Sequence, residues 1–290
     1  MHEHTRGRLA VLGAAALFST GGAAIKATSL TSWQVASYRS GIAALALIVL
    51  LPAARRAWSV RLVPVSAVYA ATMILFVVAN KLTTSANAIF LQSAAPLYIL
   101  LLGPWLLHEK VKRSDLVVMA VVLTGLALFF VGEDRASATA PDPRRGNLMA
   151  IASGLSWALT IIGLRWFGRS GQGGGIAMAA SGNALAFAVC LPAALAASSV
   201  GLTDWVILAF LGVFQIGLAY VFLTDGVQHL SALEASVLLL LEPALNPVWS
   251  WLLHGETPSA WAVAGGALIV AATAGQAQYA AWQRRAALTE

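Results

Sequence analysis

The sequence predicts an all-α membrane protein of ten transmembrane helices, built as two inverted five-helix repeats. Three observations predict it: charge is scarce, long apolar runs follow one another, and an unusual residue pattern recurs at a fixed offset. The 290-residue chain is 59% hydrophobic and only 10% charged, whereas a soluble domain carries about 25% charged residues to cover its surface. Apolar runs long enough to cross a hydrocarbon core as helices succeed one another from Leu9 almost to the C-terminus. They are continuous rather than alternating, which argues against barrel strands.

Taken in order, the runs place helices at 8–27, 32–51, 62–80, 86–107, 115–132, 147–166, 175–197, 204–223, 232–253 and 259–280. Breakers separate them, among them Thr31-Ser32, Pro52 to Arg61, Gly171 to Gly175, and Gly255 to Pro258. The longest connection, Glu133 to Gly146, divides the chain into residues 1–132, a linker of 133–146, and residues 147–290. Arg6 and Arg8 ahead of Leu9 resemble the start of a signal peptide, but the run is long and more follow, so an uncleaved first helix is expected. A lone cysteine, Cys190, excludes a disulfide framework or a zinc cage, and no metal or cofactor is expected.

A net charge of +6 would suggest nucleic acid in a soluble protein. Here the basic residues occupy short loops, so they read as topology signals and no nucleic-acid partner is expected. With the N-terminus in the cytoplasm, 12 Lys and Arg lie inside and 5 outside, with Arg39 inside the second helix. That bias predicts both termini in the cytoplasm of a multi-pass inner-membrane protein.

Residues Ala86–Ala127 laid over Leu233–Ala274, an offset of 147, show little identity but two unusual coincidences. Pro96 falls on Pro243 in what reads as mid-helix, and Glu109 falls on Glu256 just past each helix. An interior proline costs about 3 kcal/mol and frees a carbonyl, so its recurrence marks a repeat and a hinge, with Pro247 one turn on. Five helices per half is an odd number, so the halves enter the membrane in opposite directions. Inverted repeats are a plan of secondary carriers with substrate bound at the repeat interface.

The paired segments FLQSAAPLYILLLGPWLLHEK from Phe90 and LLLLEPALNPVWSWLLHGE from Leu238 resemble the drug/metabolite transporter superfamily, specifically its EamA-type members. Arg39, Phe18-Ser19 and Ser156-Trp157 add to the likeness, which covers essentially the whole chain. Within that family the chain looks most like the YddG-type exporters of aromatic and other amino acids. The resemblance implies a central cavity and export from the cytoplasm.

Intramembrane polar residues are costly and usually face a cavity or a partner. Glu242 precedes Pro243 and shares a helical face with Asn246 and Trp249. It is a candidate to meet a substrate ammonium or carry a coupling proton; the alternative is a structural hydrogen bond at the Pro243-Pro247 kink. Tyr69, Met73, Phe76 and Asn80 form an aromatic stripe with a polar end, suited to an amphipathic solute or simply to packing. Gln92 and Gln215 are lone amides that serve a substrate or join helices. Ser153, Ser156, Trp157 and Thr160 line one face of the sixth helix, where Trp157 caps a cavity or packs. Arg39 meets a substrate carboxylate or, on the more ordinary reading, holds structure. Asp225, His229, His108 and His254 sit at helix ends, where water reaches them.

Intramembrane proteolysis lacks its motifs: Ala152-Ser153-Gly154 and Ala180-Ser181-Gly182 miss the leading glycine of GxSG, and His108-Glu109 is not followed by the second histidine of HExxH. No GxxxxGK[ST] loop supplies an ATP motor. A channel would want rings of charge or carbonyls along a pore. The expected function is therefore a non-enzymatic carrier that exports small metabolites, amino acids first, by alternating access. Phe76, Asn80, Gln92, Trp157, Gln215, Glu242 and Asn246 are its expected substrate contacts. Its expected partners are that small solute and the lipid bilayer, with proton coupling as a variant and the oligomeric state left open.

Overall fold

The structure is a computed structural model that describes residues 2–56, 59–106, 113–131, 136–168, 174–197, 199–226, 229 and 238–286. These residues are helical apart from short connections, with one isolated bridge between Ser137 and Ala140. The helices are α1 His2–Ser19, α2 Gly21–Ala27, α3 Ser32–Leu50, α4 Pro52–Arg56, α5 Val63–Leu82, α6 Ser85–Gln92 and α7 Ala95–Leu106. There follow α8 Arg113–Leu128, α9 Pro143–Gly168, α10 Gly174–Leu195, α11 Leu202–Ala209, α12 Ala219–Gly226, α13 Leu241–His254 and α14 Ala260–Ala286. A π-helical stretch, Phe210–Leu218, joins α11 to α12.

Polarity is distributed as a membrane demands. Leu45, Val49, Trp105, Val117, Leu202, Trp251 and Leu253 are exposed, while Gln34, Ser37, Arg39, Ser40, Asn80, Asn87 and Asn183 are buried. Such a surface would be an aggregation hazard in water but is matched to lipid. Backbone polar groups inside the bilayer have no water, so helices must satisfy them internally. Among the described residues, six helical stretches are long and apolar enough to cross a membrane: Glu3–Ala27, Ser32–Leu50, Val60–Leu82, Pro143–Gly163, Gly174–Leu195 and Leu202–Gly226. Leu116–Leu128 and Ala260–Ala272 are shorter apolar helices.

Several spans are broken where the sequence reads as continuous. α1 stops at Thr20, whose hydroxyl donates to the Leu17 carbonyl at 2.7 Å, and Gly21-Gly22 opens α2. α6 and α7 are separated by a turn at Ser93-Ala94, and Leu240 is a turn between helical Leu238-Leu239 and α13. Ser93 and Leu240 stand at the same offset of 147 as the prolines.

This corrects the expected position of two prolines. Pro96 is the second residue of α7 and Pro243 the third of α13, rather than mid-helix residues. A first-turn proline lacks only an N–H that has no helical partner, so it starts the second piece at little cost. Pro247 alone of the three is helix-interior. Glu109, the other half of the repeat signature, lies outside the described residues, as does His108.

The main packing joins the two halves of the chain. α3 lies against α10, α5 against α9 and α10, α6 and α7 against α9, and α8 against α14. α1 packs on α12 and α13, and the π stretch packs on α3. Glycines allow the closest crossings: a Cβ on Gly125 would sit 2.8 Å from the Gly265 carbonyl, and one on Gly265 would sit 2.6 Å from that of Gly125. Such small-residue seams substitute for a hydrophobic driving force between helices in lipid.

Candidate functional site

Two layers stand out along the bundle: a sealed polar roof and a cavity beneath it. The roof lies at the ends of the helices nearest the central loop. Lys26, the penultimate residue of α2, forms an ion pair with Glu256 at 2.8 Å, with side-chain exposures of only 2% and 5%. The same ammonium donates to the Thr83 carbonyl at 2.7 Å and to the carbonyl of Thr139 in the central loop. The second Glu256 oxygen accepts from the Ser85 amide at 3.0 Å, at the start of α6. One buried pair thus ties α2, α6, the central loop and the segment after α13 together.

Neighbouring contacts extend the seal. Lys81 donates to the Thr28 carbonyl at 2.8 Å, and Ser29 donates from its amide and hydroxyl to Asp204. Thr83 donates to Asn147 at 2.8 Å, and a nitrogen of the His254 ring lies 2.8 Å from the Ala23 carbonyl. His254 therefore bridges two helices and is half-buried, not simply an interfacial residue. Two of the five basic residues assigned by loop position to the outer side, Lys26 and Lys81, are engaged inside the protein. Arg145 pairs with Asp142 at 3.3 Å.

Below the roof lies a cavity of about 330 Å³. It extends toward Ile99, Ile161, Leu223 and Leu239, each farther along its helix from the roof. At the opposite end of the bundle from the roof, Arg6 pairs with Asp225 at 2.9 Å on the surface. That exposed pair explains Asp225 without a site role. Phe18, Tyr69, Phe76, Trp157 and Tyr220 give the cavity its aromatic wall, and Arg39, Gln92, Gln215 and Glu242 its polar groups. The aromatic rings brace one another, with Tyr220 edge-on to Phe18 at 5.6 Å and to Tyr69 at 6.3 Å. Tyr69 also accepts a hydrogen bond from Asn183 at 3.1 Å.

Each polar group is positioned by local structure. Gln92 ends α6 just before the Ser93 turn and donates to Ser153 at 2.8 Å, while Ser153 donates to the Thr72 carbonyl at 3.3 Å. Gln215 projects from the π stretch, a form of helix that recurs at functional sites. Its Nε2 is 3.4 Å from the Phe18 carbonyl, and its Oε1 has no hydrogen-bond partner. Glu242 lies in the first turn of α13 beside the Leu240 break. It belongs to none of the ion pairs among the described residues.

Five of the seven substrate contacts expected from sequence line the cavity: Phe76, Gln92, Trp157, Gln215 and Glu242. Asn80 and Asn246 do not. Both are fully buried one turn nearer the roof, where a Cβ on Gly22 would meet their side-chain oxygens at 2.9 and 2.8 Å. Asn80 donates to the Phe76 carbonyl at 2.9 Å, while both polar atoms of Asn246 have no partner. Trp249 donates to Ser19 at 2.9 Å rather than facing the cavity. Thr160 bonds back to the Ser156 carbonyl of its own helix. Phe18 and Tyr220 were not singled out as contacts, because an aromatic residue in an apolar run carries no directional signal. The Lys26–Glu256 pair was equally hidden, since its partners are far apart in sequence.

Comparison with known proteins finds a match to the EamA-like transporter family over residues 5–131 and again over residues 144–275. The pseudopaline exporter CntI of Pseudomonas aeruginosa is 29% identical over 273 residues, covering 91% of this chain and 93% of the exporter. An uncharacterized transporter of Archaeoglobus fulgidus is 27% identical over 200 residues, covering 69% of this chain and 70% of its own length. A solved crystal structure superposes with a TM-score of 0.60 at 21% identity, covering 93% of this chain and 96% of that one, a likeness of fold.

Proposed function

The chain belongs to the EamA-like transporter family, and from that premise we propose that it exports small amphipathic metabolites, amino acids including aromatic ones first among them. Membership makes it a multi-pass membrane transporter rather than an enzyme. In the proposed reading it is an inner-membrane secondary carrier with both termini in the cytoplasm. Two inverted five-helix halves rock about the central cavity.

The single observation that carries the substrate reading is the cavity. Its volume of about 330 Å³ lies near the lower end of small-molecule sites, about 300–1,000 Å³. Aromatic walls with a carboxyl and two amides suit a small solute with an apolar body and a polar head. The relatives named for a cargo are pseudopaline exporters, so the amino-acid assignment rests on this lining and on the YddG-type likeness.

Three features support the inverted-repeat mechanism. The family matches the chain twice, once in each half. The breaks at Ser93 and Leu240 share one offset with Pro96 and Pro243. The packing pairs also exchange consistently between halves: α5 on α9 answers α12 on α1, and α5 on α10 answers the π stretch on α3. In this scheme the roof is closed and the cavity lies toward the face of Arg6 and Asp225, an inward-facing arrangement. Outward release requires the Lys26–Glu256 pair to part, and the substrate gradient suffices to drive net export.

The pseudopaline exporter favours a second reading, in which the cargo is another secreted metabolite or a drug and Glu242 couples export to protons. Counterflow in proteoliposomes, with labelled amino acids, sugars and cationic drugs, separates the two. Saturable exchange of amino acids is expected. Exchange of cationic drugs alone would replace the amino-acid reading, and a folded protein that exchanges nothing in the panel would sink it.

A further inference from the structure

The cavity wall holds a charge that the fold leaves unanswered. Arg39 lies in α3 with 1% of its surface exposed and borders the cavity. A guanidinium carries five N–H donors and keeps its charge in proteins. An arginine kept for structure would spend those donors on carbonyls or a carboxylate. Arg39 spends one nitrogen, Nη2, on the Met73 carbonyl at 3.4 Å and the Met73 sulfur at 3.7 Å. Its Nε and Nη1 have no partner, and it belongs to none of the ion pairs among the described residues. A buried charge without a counter-charge is strongly destabilising. The chain holds it there beside a cavity, behind a thioether side chain with the flexibility to move aside.

We infer that Arg39 anchors a carboxylate of the transported solute, and that the substrates are therefore organic acids or zwitterions rather than cations. This rests on the carrier reading above and narrows it. The planar fork of the guanidinium matches a carboxylate through two parallel hydrogen bonds. Phosphate offers the same fork, but a dianion would also face the Glu242 carboxyl in a largely apolar wall. A single carboxylate leaves Glu242 free to receive an ammonium, so the two side chains frame an amino acid from its two charged groups. Gly212 of the π stretch supports the arrangement: a Cβ there would meet Ile42 at 2.6 Å and the Arg39 carbonyl at 2.9 Å, so glycine sets how closely that stretch approaches α3.

The test uses the full chain in proteoliposomes and in detergent. Labelled phenylalanine is the counterflow probe, and phenethylamine, 3-phenylpropionate and phenyl phosphate are competitors. Binding of 3-phenylpropionate is followed separately by thermal stabilisation. In the wild type, 3-phenylpropionate should compete better than phenethylamine or phenyl phosphate. Arg39→Gln should raise the KM for phenylalanine about tenfold or more and abolish stabilisation by 3-phenylpropionate, with partial rescue in Arg39→Lys. An unchanged KM in a monodisperse Arg39→Gln protein overturns the inference and leaves the exporter reading standing. Stronger competition by phenethylamine or phenyl phosphate overturns it too. If nothing in the panel is transported but 3-phenylpropionate binds in an Arg39-dependent way, the inference stands and the amino-acid reading falls. If it neither binds nor competes, the inference falls.

Discussion

The side chains around the cavity divide by the kind of work they can do. Trp157 and Phe76 offer apolar faces to the cavity, so under the proposed function they would pack against the body of a solute rather than its charges. Replacing Trp157 with alanine should raise the KM for phenylalanine by about three- to tenfold, with a smaller effect on alanine, as counterflow at graded concentrations would show. Glu242 is the acid of the cavity wall. If it only receives an ammonium, Glu242→Gln weakens amino-acid binding wherever the wild-type carboxyl is ionised, with or without a pH gradient. If it carries a coupling proton, the variant keeps counterflow but loses accumulation driven by a pH gradient. Uptake of labelled phenylalanine with and without that gradient distinguishes the two, and unchanged behaviour in both assays makes Glu242 structural. Glu242 and the two glutamines border one cavity, as expected of an isolated polar residue in an apolar helix, which must face something polar. Asn80 and Asn246, expected beside them, do not line that cavity, for a physical reason. Helical spacing puts them on the same faces as Phe76 and Glu242, but nothing in that spacing says where a cavity ends and the Gly22 contact begins.

Helices and their junctions set the mechanical behaviour. The roof hangs on a buried ion pair between α2 and the segment following α13. Removing one partner from such a pair strands the other charge, at a cost of about 3–5 kcal/mol, whereas removing both costs much less. Lys26→Met and Glu256→Gln should each lower the melting temperature in detergent, and the double variant should recover part of the loss. Additive losses would mean that the two residues do not act as a pair. The apolar runs marked the six long apolar spans found among the described residues, since length and hydropathy are local properties. The breaks at Ser93 and Leu240 and the π stretch at Phe210–Leu218 were not legible, because shifting the hydrogen-bond register leaves hydropathy unchanged. Pro96 and Pro243 were read as mid-helix residues, whereas each stands in the first turn of a new helical piece.

At the scale of the whole molecule, orientation and motion are the open claims. The structure sharpens the charge argument, since Lys26 and Lys81 are satisfied within the roof and contribute little to any outer loop. A cysteine at the exposed Thr257 should react with an impermeant maleimide in intact cells. One at the exposed Arg56 should react only after permeabilisation. The reverse pattern would invert the assigned direction of export. Alternating access demands that the sealed roof open while the cavity is loaded. Spin labels at Thr31 and Thr257, on opposite halves and both exposed, with Cys190 replaced by alanine, report that opening directly through their distance distribution. A short distance is expected without substrate. A second, longer population should appear when a transported amino acid is added, and Lys26→Met should raise that population even without it. A single distance, unchanged by saturating substrate and by Lys26→Met, would contradict the account.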